Sequence, residues 1–194
     1  VTPRILILPG SNRLASYNRR LAAEAARLVA ATDAVATHLS LTDYPLPLYD
    51  ADFEDEHGVP ENATLLAQHL TAQDGLILVS PEYNTSIPPL VKNTIDWISR
   101  VRKVQGRPVQ PFRGLVVALA SASPGRLGGM RALAALRPVL MSLGAEVITP
   151  QCSLADAAHG FDEAGHLTDD HARAALEQMV ERLIDHCRVL GRHE

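Results

Sequence analysis

The chain has 194 residues, of which 46% are hydrophobic, 21% charged and only 4% aromatic, and its 18 Lys and Arg against 22 Asp and Glu leave a formal charge of −4. That length suits one domain spanning residues 1–194, at ~150 residues per domain. The weakly acidic balance gives no general attraction to phosphate backbones or anionic lipid, so nucleic acid and membrane surfaces are not expected partners.

Arg4-Ile5-Leu6-Ile7-Leu8 is a short apolar run closed by Pro9-Gly10, the pattern of a buried strand. Leu21, Ala25, Leu28, Val29 and Thr32 recur at helical spacing and predict a helix over residues 18–31. Val35, Thr37 and Leu39 alternate as a half-covered strand. Residues 42–61 carry three prolines and the acidic cluster Asp50, Asp52, Glu54, Asp55 and Glu56, and read as one long loop with a functional or partner role. A helix over 62–73 leads to a buried strand over 75–80, and Pro89 suits the first turn of a helix over 89–100. A third buried strand over 115–120 runs into a small-residue loop over 121–129. The next helix carries Leu133, Leu136, Leu140 and Leu143, with a kink expected at Pro138, which lacks the amide that would bond the carbonyl of Ala134. A short strand over 146–149 and a helix striped by Leu176, Met179, Val180, Leu183, Ile184 and Cys187 close the chain.

Apolar strands separated by amphipathic helices predict a parallel sheet covered on both faces. Five strands and five helices in alternation give an α/β, doubly wound three-layer sandwich of strand order 2-1-3-4-5. Ligands of such sheets sit beyond the carboxyl ends of the strands, at the switch point between strands 1 and 3. Three unusual loops fall there. The first, residues 10–18, leads into a helix N-terminus and offers hydroxyls at Ser11 and Ser16, an amide at Asn18 and a guanidinium at Arg13, the groups a phosphate monoester wants. The plainer alternative is that Ser16 or Asn18 caps the helix and Arg13 is solvated. The second, residues 81–88, is stiffened by two prolines, and its backbone with Asn84 and Ser86 suits the edge of a planar heterocycle. Its alternative is a proline-rich turn with Tyr83 packed over the sheet. Glu82 is a candidate base, but nothing near it in sequence orients it as one. The third, residues 121–129, has three glycines and two serines and allows backbone to approach a ligand closely.

Other chemistries are excluded by what these loops lack. Gly10-Ser11-Asn12-Arg13 matches neither the dinucleotide fingerprint nor the nucleotide triphosphate loop, and no G-x-S-x-G elbow is present. Cys152 and Cys187 are too few for a disulfide framework and read as structural thiols. His159, His166, His171, His186 and His193 do not repeat a zinc spacing and read as solvated. No apolar run approaches the ~18 residues of a membrane span, and the opening apolar segment is too short for a secretory signal, so a cytoplasmic protein is expected.

Gly10-Ser11-Asn12-Arg13 with Ser16 and Asn18 is similar to a G-S-x-R-x-x-S-x-N phosphate loop. Pro81-Glu82-Tyr83-Asn84-Thr85-Ser86-Ile87-Pro88, followed by Lys92-Asn93 and Asp96-Trp97, is similar to the signatures P-E-Y-N-x-S-x-P and K-N-x-I-D-W. In these motifs the chain resembles the NADPH-dependent FMN reductase family, the flavodoxin-like group that includes bacterial quinone and chromate reductases. Leu48-Tyr49-Asp50-Ala51-Asp52 resembles the family's second loop; Pro89, Val91 and Arg126 depart from its pattern and bear on the pocket of the second substrate. The resemblance implies noncovalent FMN. Its 5′-phosphate would lie among Ser11, Arg13, Ser16 and Asn18 with Asn12 and Tyr17 alongside, its ring edge along Pro81, Glu82, Tyr83 and Asn84 with Ser86 nearby, and Ser121, Ser123 and Gly125 would border the ring from the other side. It further implies NADPH or NADH as hydride donor and a small acceptor, a flavin, quinone or similar, taking the same place in turn by ping-pong kinetics. Flavin N5 would perform the chemistry, so no catalytic side chain or metal is expected. A homodimer or homotetramer is implied, with the acidic second loop and the region of Trp97 facing a partner; Trp97 as ordinary core is the equal alternative.

Two other readings stand beside this one. A flavodoxin-type electron carrier would bind FMN without accepting hydride directly, but such carriers commonly clamp the ring between aromatics, and only Tyr83 lies near the ring loop. A scaffold whose loops bind nothing is opposed by the intact first and second loops.

Overall fold

The structure, a computed structural model, describes residues 1–192; His193 lies outside them. In chain order the elements are β1 (Arg4–Pro9), α1 (Tyr17–Ala30), β2 (Val35–His38), α2 (Ala51–His57), α3 (Glu61–Thr71), β3 (Gly75–Val79), α4 (Pro89–Arg100), β4 (Lys103–Val104), β5 (Arg107–Pro108), β6 (Val116–Ala122), α5 (Met130–Ser142), β7 (Glu146–Leu154) and α6 (Asp170–Leu190). The five longer strands form a parallel sheet in the order β2-β1-β3-β6-β7, which is the expected 2-1-3-4-5 pattern.

Successive side chains of a strand point to opposite faces, and here both faces are apolar. Ile5, Ile7, Ile77, Val79, Ala118 and Ala120 meet α1 and α6 on one side. Leu6, Leu8, Leu76, Leu78, Val117 and Leu119 meet α3, α4 and α5 on the other. Each fully buried aliphatic side chain contributes about 1.5–3 kcal/mol, so the two layers hold the sheet without polar help. The cysteines belong to this packing. A Cβ on Gly75 would stand 2.6 Å from the Cys187 sulfur, and burial pushes both thiols up to about 12, which keeps them protonated and unreactive.

Two expectations need correction. Residues 42–61 are not one loop. They contain a 3-10 turn at Leu41–Asp43 and the helix α2, whose amino end is capped by Asp50, accepting from the amides of Asp52 at 2.8 Å and Phe53 at 3.1 Å. No residue of α2 is buried, so it has no apolar stripe; Asp52 and Glu54 instead sit in its first turn, where the helix dipole favours acids. A small hairpin, β4 with β5, turns at Gln105 and Gly106, both with positive φ, in a stretch the sequence left unassigned. The last strand is longer than 146–149 because Pro150 does not end it. The register slips between Val117 and Leu119, and the bulge accommodates the proline on an edge strand. Pro138 lies within α5, which continues as one helix on both sides of it.

Arg137 secures that edge. Its guanidinium donates to the carbonyl oxygens of Ile148 at 2.7 Å and Thr149 at 3.1 Å and to Gln151 Oε1 at 3.0 Å. Arg137→Ala should therefore lower unfolding stability by about 1–3 kcal/mol, read as a shift of the urea midpoint, with Arg137→Lys recovering only part because an ammonium lacks the planar fork.

Candidate active site

The carboxyl ends of β1, β3 and β6 bring the three loops together. In the first, Ser16 caps α1, its Oγ accepting from the Asn18 amide at 3.2 Å. Asn18 is buried and its side chain is anchored to β6. Nδ2 donates to the Ala122 carbonyl at 2.9 Å, and Oδ1 accepts from the Ala122 amide at 2.9 Å. Asn18, read from the sequence among the phosphate ligands, is thereby held beside the first loop by both ends of its amide, with one Nδ2 hydrogen left over. Ser11 is nearly buried, and Asn12 Oδ1 accepts from the Thr42 hydroxyl at 3.3 Å. Arg13 donates to the Ala15 carbonyl at 3.1 Å, and its guanidinium lies 5.6 Å from the centre of the Tyr17 ring. One of its five donors is thus used within the loop.

The second loop leaves β3 at Ser80, whose amide donates to Ala120 at 2.9 Å. Tyr83 and Ser86 then exchange backbone bonds of 3.1 and 3.0 Å around Asn84 and Thr85, with φ of 48° and 67°. A β-branched residue at positive φ is a strained conformation, of the kind functional loops keep. Tyr83 is exposed rather than packed over the sheet. Glu82 turns away from any role as a base. Its carboxylate accepts from the backbone amides of Arg131 at 3.0 Å and Ala132 at 3.3 Å, and the Arg131 guanidinium closes on it through Nε at 2.8 Å and Nη2. These bonds, led by that from Arg131, hold its carboxyl below the usual glutamate range.

In the third loop Ser121 is fully buried beneath Gly129, where an added Cβ would come within 1.9 Å of the Ser121 Oγ. Its side chain lies under the loop, with the Oγ buried and without a hydrogen-bond partner among the described residues. Ser123 Oγ accepts from the Gly125 amide at 3.1 Å, which shapes the turn while leaving Gly125 and Arg126 exposed. The second-loop signature also finds its use. Asn93 accepts from the Tyr49 amide at 2.8 Å and donates to Pro47 at 2.9 Å, and Trp97 Nε1 donates to the same carbonyl at 2.8 Å. Trp97 is completely buried, so it faces the core and not a partner. Arg100 binds Glu54 at 2.8 Å and fixes the acidic helix α2 against α4. Sequence reasoning missed Arg131 altogether, since a residue 49 positions from Glu82 leaves no local spacing to read.

Residues 3–160 match the family of NADPH-dependent FMN reductases. The chain belongs to that family. The FMN reductase reading agrees with its relatives: the quinone reductase of Escherichia coli strain K12 is 37% identical over 145 residues, covering 75% of this chain and 73% of that one. The NAD(P)H-dependent FMN reductase of Pseudomonas aeruginosa is 35% identical over 182 residues, covering 93% and 92%. Among solved structures, the flavoenzyme NAD(P)H:(acceptor) oxidoreductase of Paracoccus denitrificans superposes with a TM-score of 0.81 at 26% identity, covering 98% and 100%. This FMN reductase family member is accordingly an NAD(P)H-dependent oxidoreductase with FMN as its cofactor, which sets aside the carrier alternative. None of its described helices is long and apolar enough to cross a membrane.

The donor chemistry of the first loop fits the cofactor's phosphate. The loop carries two serine hydroxyls and a guanidinium and leads into the amino end of the 14-residue α1, and no carboxylate belongs to residues 10–18. Asn18→Ala would leave the buried Ala122 amide unpaired and should cost about 1–3 kcal/mol in a chemical denaturation series. For Glu82 the sign follows from its lowered folded pKa. Its stabilising contribution is present above the unfolded pKa and fades as pH falls through the folded one. The stability of Glu82→Gln should then decline less steeply on acidification than that of the parent; equal acid limbs would remove Glu82 from the account.

Proposed function

We propose that the first loop holds the 5′-phosphate of FMN through Ser11, Arg13 and Ser16, with Asn12 and Tyr17 alongside. The second loop borders the ring through the backbone of Pro81, Glu82, Tyr83 and Asn84 with Ser86 nearby, and Ser123 and Gly125 bound it opposite. The observation that carries this reading is the division of labour in the first loop. Asn18 is occupied with β6, whereas the hydroxyl-and-guanidinium set stands at the end of α1 with no carboxylate in its loop.

When bound, FMN supplies both halves of the chemistry, taking hydride from NAD(P)H and passing electrons to a flavin, quinone or similar small acceptor. The chain's own residues bind and orient. Arg13 and the amino end of α1 neutralise the phosphate, and the reciprocal Tyr83–Ser86 bonds keep the second loop from collapsing into the ring's place. Leu14, Tyr83 and Leu127 are exposed on the three loops and Met130 at the start of α5, which gives the rim an apolar character suited to a planar acceptor. One face serving donor and acceptor in turn makes the reaction ping-pong. The same rim is where the copies of a homodimer or homotetramer would meet.

Anaerobic mixing of the FMN-loaded protein with NADPH or NADH should bleach the flavin absorbance, and double-reciprocal plots at several acceptor concentrations should be parallel. A preparation that cannot be loaded with FMN, or intersecting plots, would overturn the corresponding part. Arg13→Ala should weaken FMN by about 1.5–3 kcal/mol, as for a bond to a charged group, measured by fluorescence titration of apoprotein.

A further inference from the structure

Helix α5 begins in a way that cannot be capped locally. Its N-cap residue is Gly129, with φ of 83° and no side-chain bond to the helix. A side chain there is barred by the left-handed conformation and by Ser121, whose Oγ would lie 1.9 Å from the new Cβ. The Met130 and Ala132 amides reach the carbonyls of Leu127 and Gly129 in the preceding turn, which leaves the Arg131 amide in need of an acceptor from elsewhere. Glu82 supplies it from the second loop, accepting from the amides of Arg131 and Ala132 while its charge is matched by the Arg131 guanidinium. A carboxylate is more than this cap requires, since a neutral oxygen would satisfy the amides. Its charge has a second consequence: without it, the Arg131 cation and the positive end of the α5 dipole would stand unopposed beside the second loop.

We propose that Glu82 is a positioning residue of the reductase, fastening the ring-bearing second loop to α5 and balancing Arg131 so that the surroundings of the ring are held close to electrical neutrality. The proposal rests on the reading that residues 81–84 border the flavin ring. The geometry gives it a sign. Removing the carboxylate leaves a positive environment, which favours the electron-richer reduced flavin; removing Arg131 leaves a negative one, which disfavours it.

The test uses full-length apoprotein, titrated with FMN, and the loaded protein, titrated spectroelectrochemically. Glu82→Gln, a near-isostere that keeps one acceptor oxygen, should raise the midpoint potential of bound FMN, Arg131→Ala should lower it, and the double variant should fall between them. FMN affinity of Glu82→Ala, which removes the acceptor as well as the charge, should weaken about fivefold, the equivalent of one lost helix cap, and Glu82→Gln, which keeps an acceptor, should lose less. Opposite shifts from the two single variants establish the role. Weakened binding with both potentials unmoved, or shifts of the same sign, would reduce Glu82 to a structural staple and overturn the proposal. Parent protein that loads FMN while the variants behave identically to it also overturns this proposal but leaves the proposed function standing. Parent protein that takes up no FMN overturns both.

Discussion

A parallel sheet buried on both faces has no room for working polar side chains within its central strands. Every residue of β3 and β6 is buried, and all of β1 except its first. Their backbone groups are consumed by the ladder, and the serines at their carboxyl ends, Ser80 and Ser121, are buried too. Chemistry has to be exported to the loops beyond those ends, which have little apolar surface with which to hold themselves in place. The loops must instead be tied by hydrogen bonds, and a tie works best where water cannot compete for it. The pair of bonds between Asn18 and Ala122 meets that condition and joins the first loop to the third across the middle of the sheet.

The same logic sorts the family's signature residues into those that hold and those that are left to bind. Asn18, Glu82, Asn93 and Trp97 each reach a backbone group on a different segment, 44 to 104 positions away. Their side chains serve as fasteners, and the motif spacing keeps each fastener next to the loop it positions. Ser11, Arg13 and Ser16 make only local bonds or none, and so retain donors for a ligand. A motif can therefore be specific for a cofactor even though half of its polar side chains are engaged with the protein.

The architecture was legible because its elements are long and their apolar stripes are clear: β3, α4 and α6 announce themselves through Leu76–Val79, Val91–Ile95–Ile98 and Leu176–Cys187. Helix α2 escaped because a helix stabilised by its cap and its charges has no stripe, and β7 was cut short because Pro150 looks like a terminator unless a bulge on an edge strand receives it. That three loops gather at the carboxyl ends of β1, β3 and β6 was legible from the strand order. What individual side chains do within them was not, because bonds such as Glu82 with Arg131 depend on which loops the sheet order makes neighbours. Sequence gives the neighbours only after the strand order is known.

The scarcity of aromatic rings, the one compositional oddity, becomes more exact in three dimensions. Of the chain's eight aromatic side chains, Trp97 and Phe112 are buried. Tyr49 and Phe53 pack edge-on against Trp97, at 5.0 and 6.1 Å between centroids. Tyr44 meets His69, Phe161 lies under Arg20, and Tyr17 lies beneath Arg13. Only Tyr83 stands exposed on a loop at the carboxyl edge. Under the proposed placement, a planar cofactor there meets one exposed ring of this chain, so its hold would rest on backbone, hydroxyls and Arg13, and one face would stay available. That arrangement suits an enzyme whose nicotinamide donor and acceptor must each reach the ring, and it makes the fasteners around the second loop matter more, since no stacked aromatic would keep the ring in register if they failed.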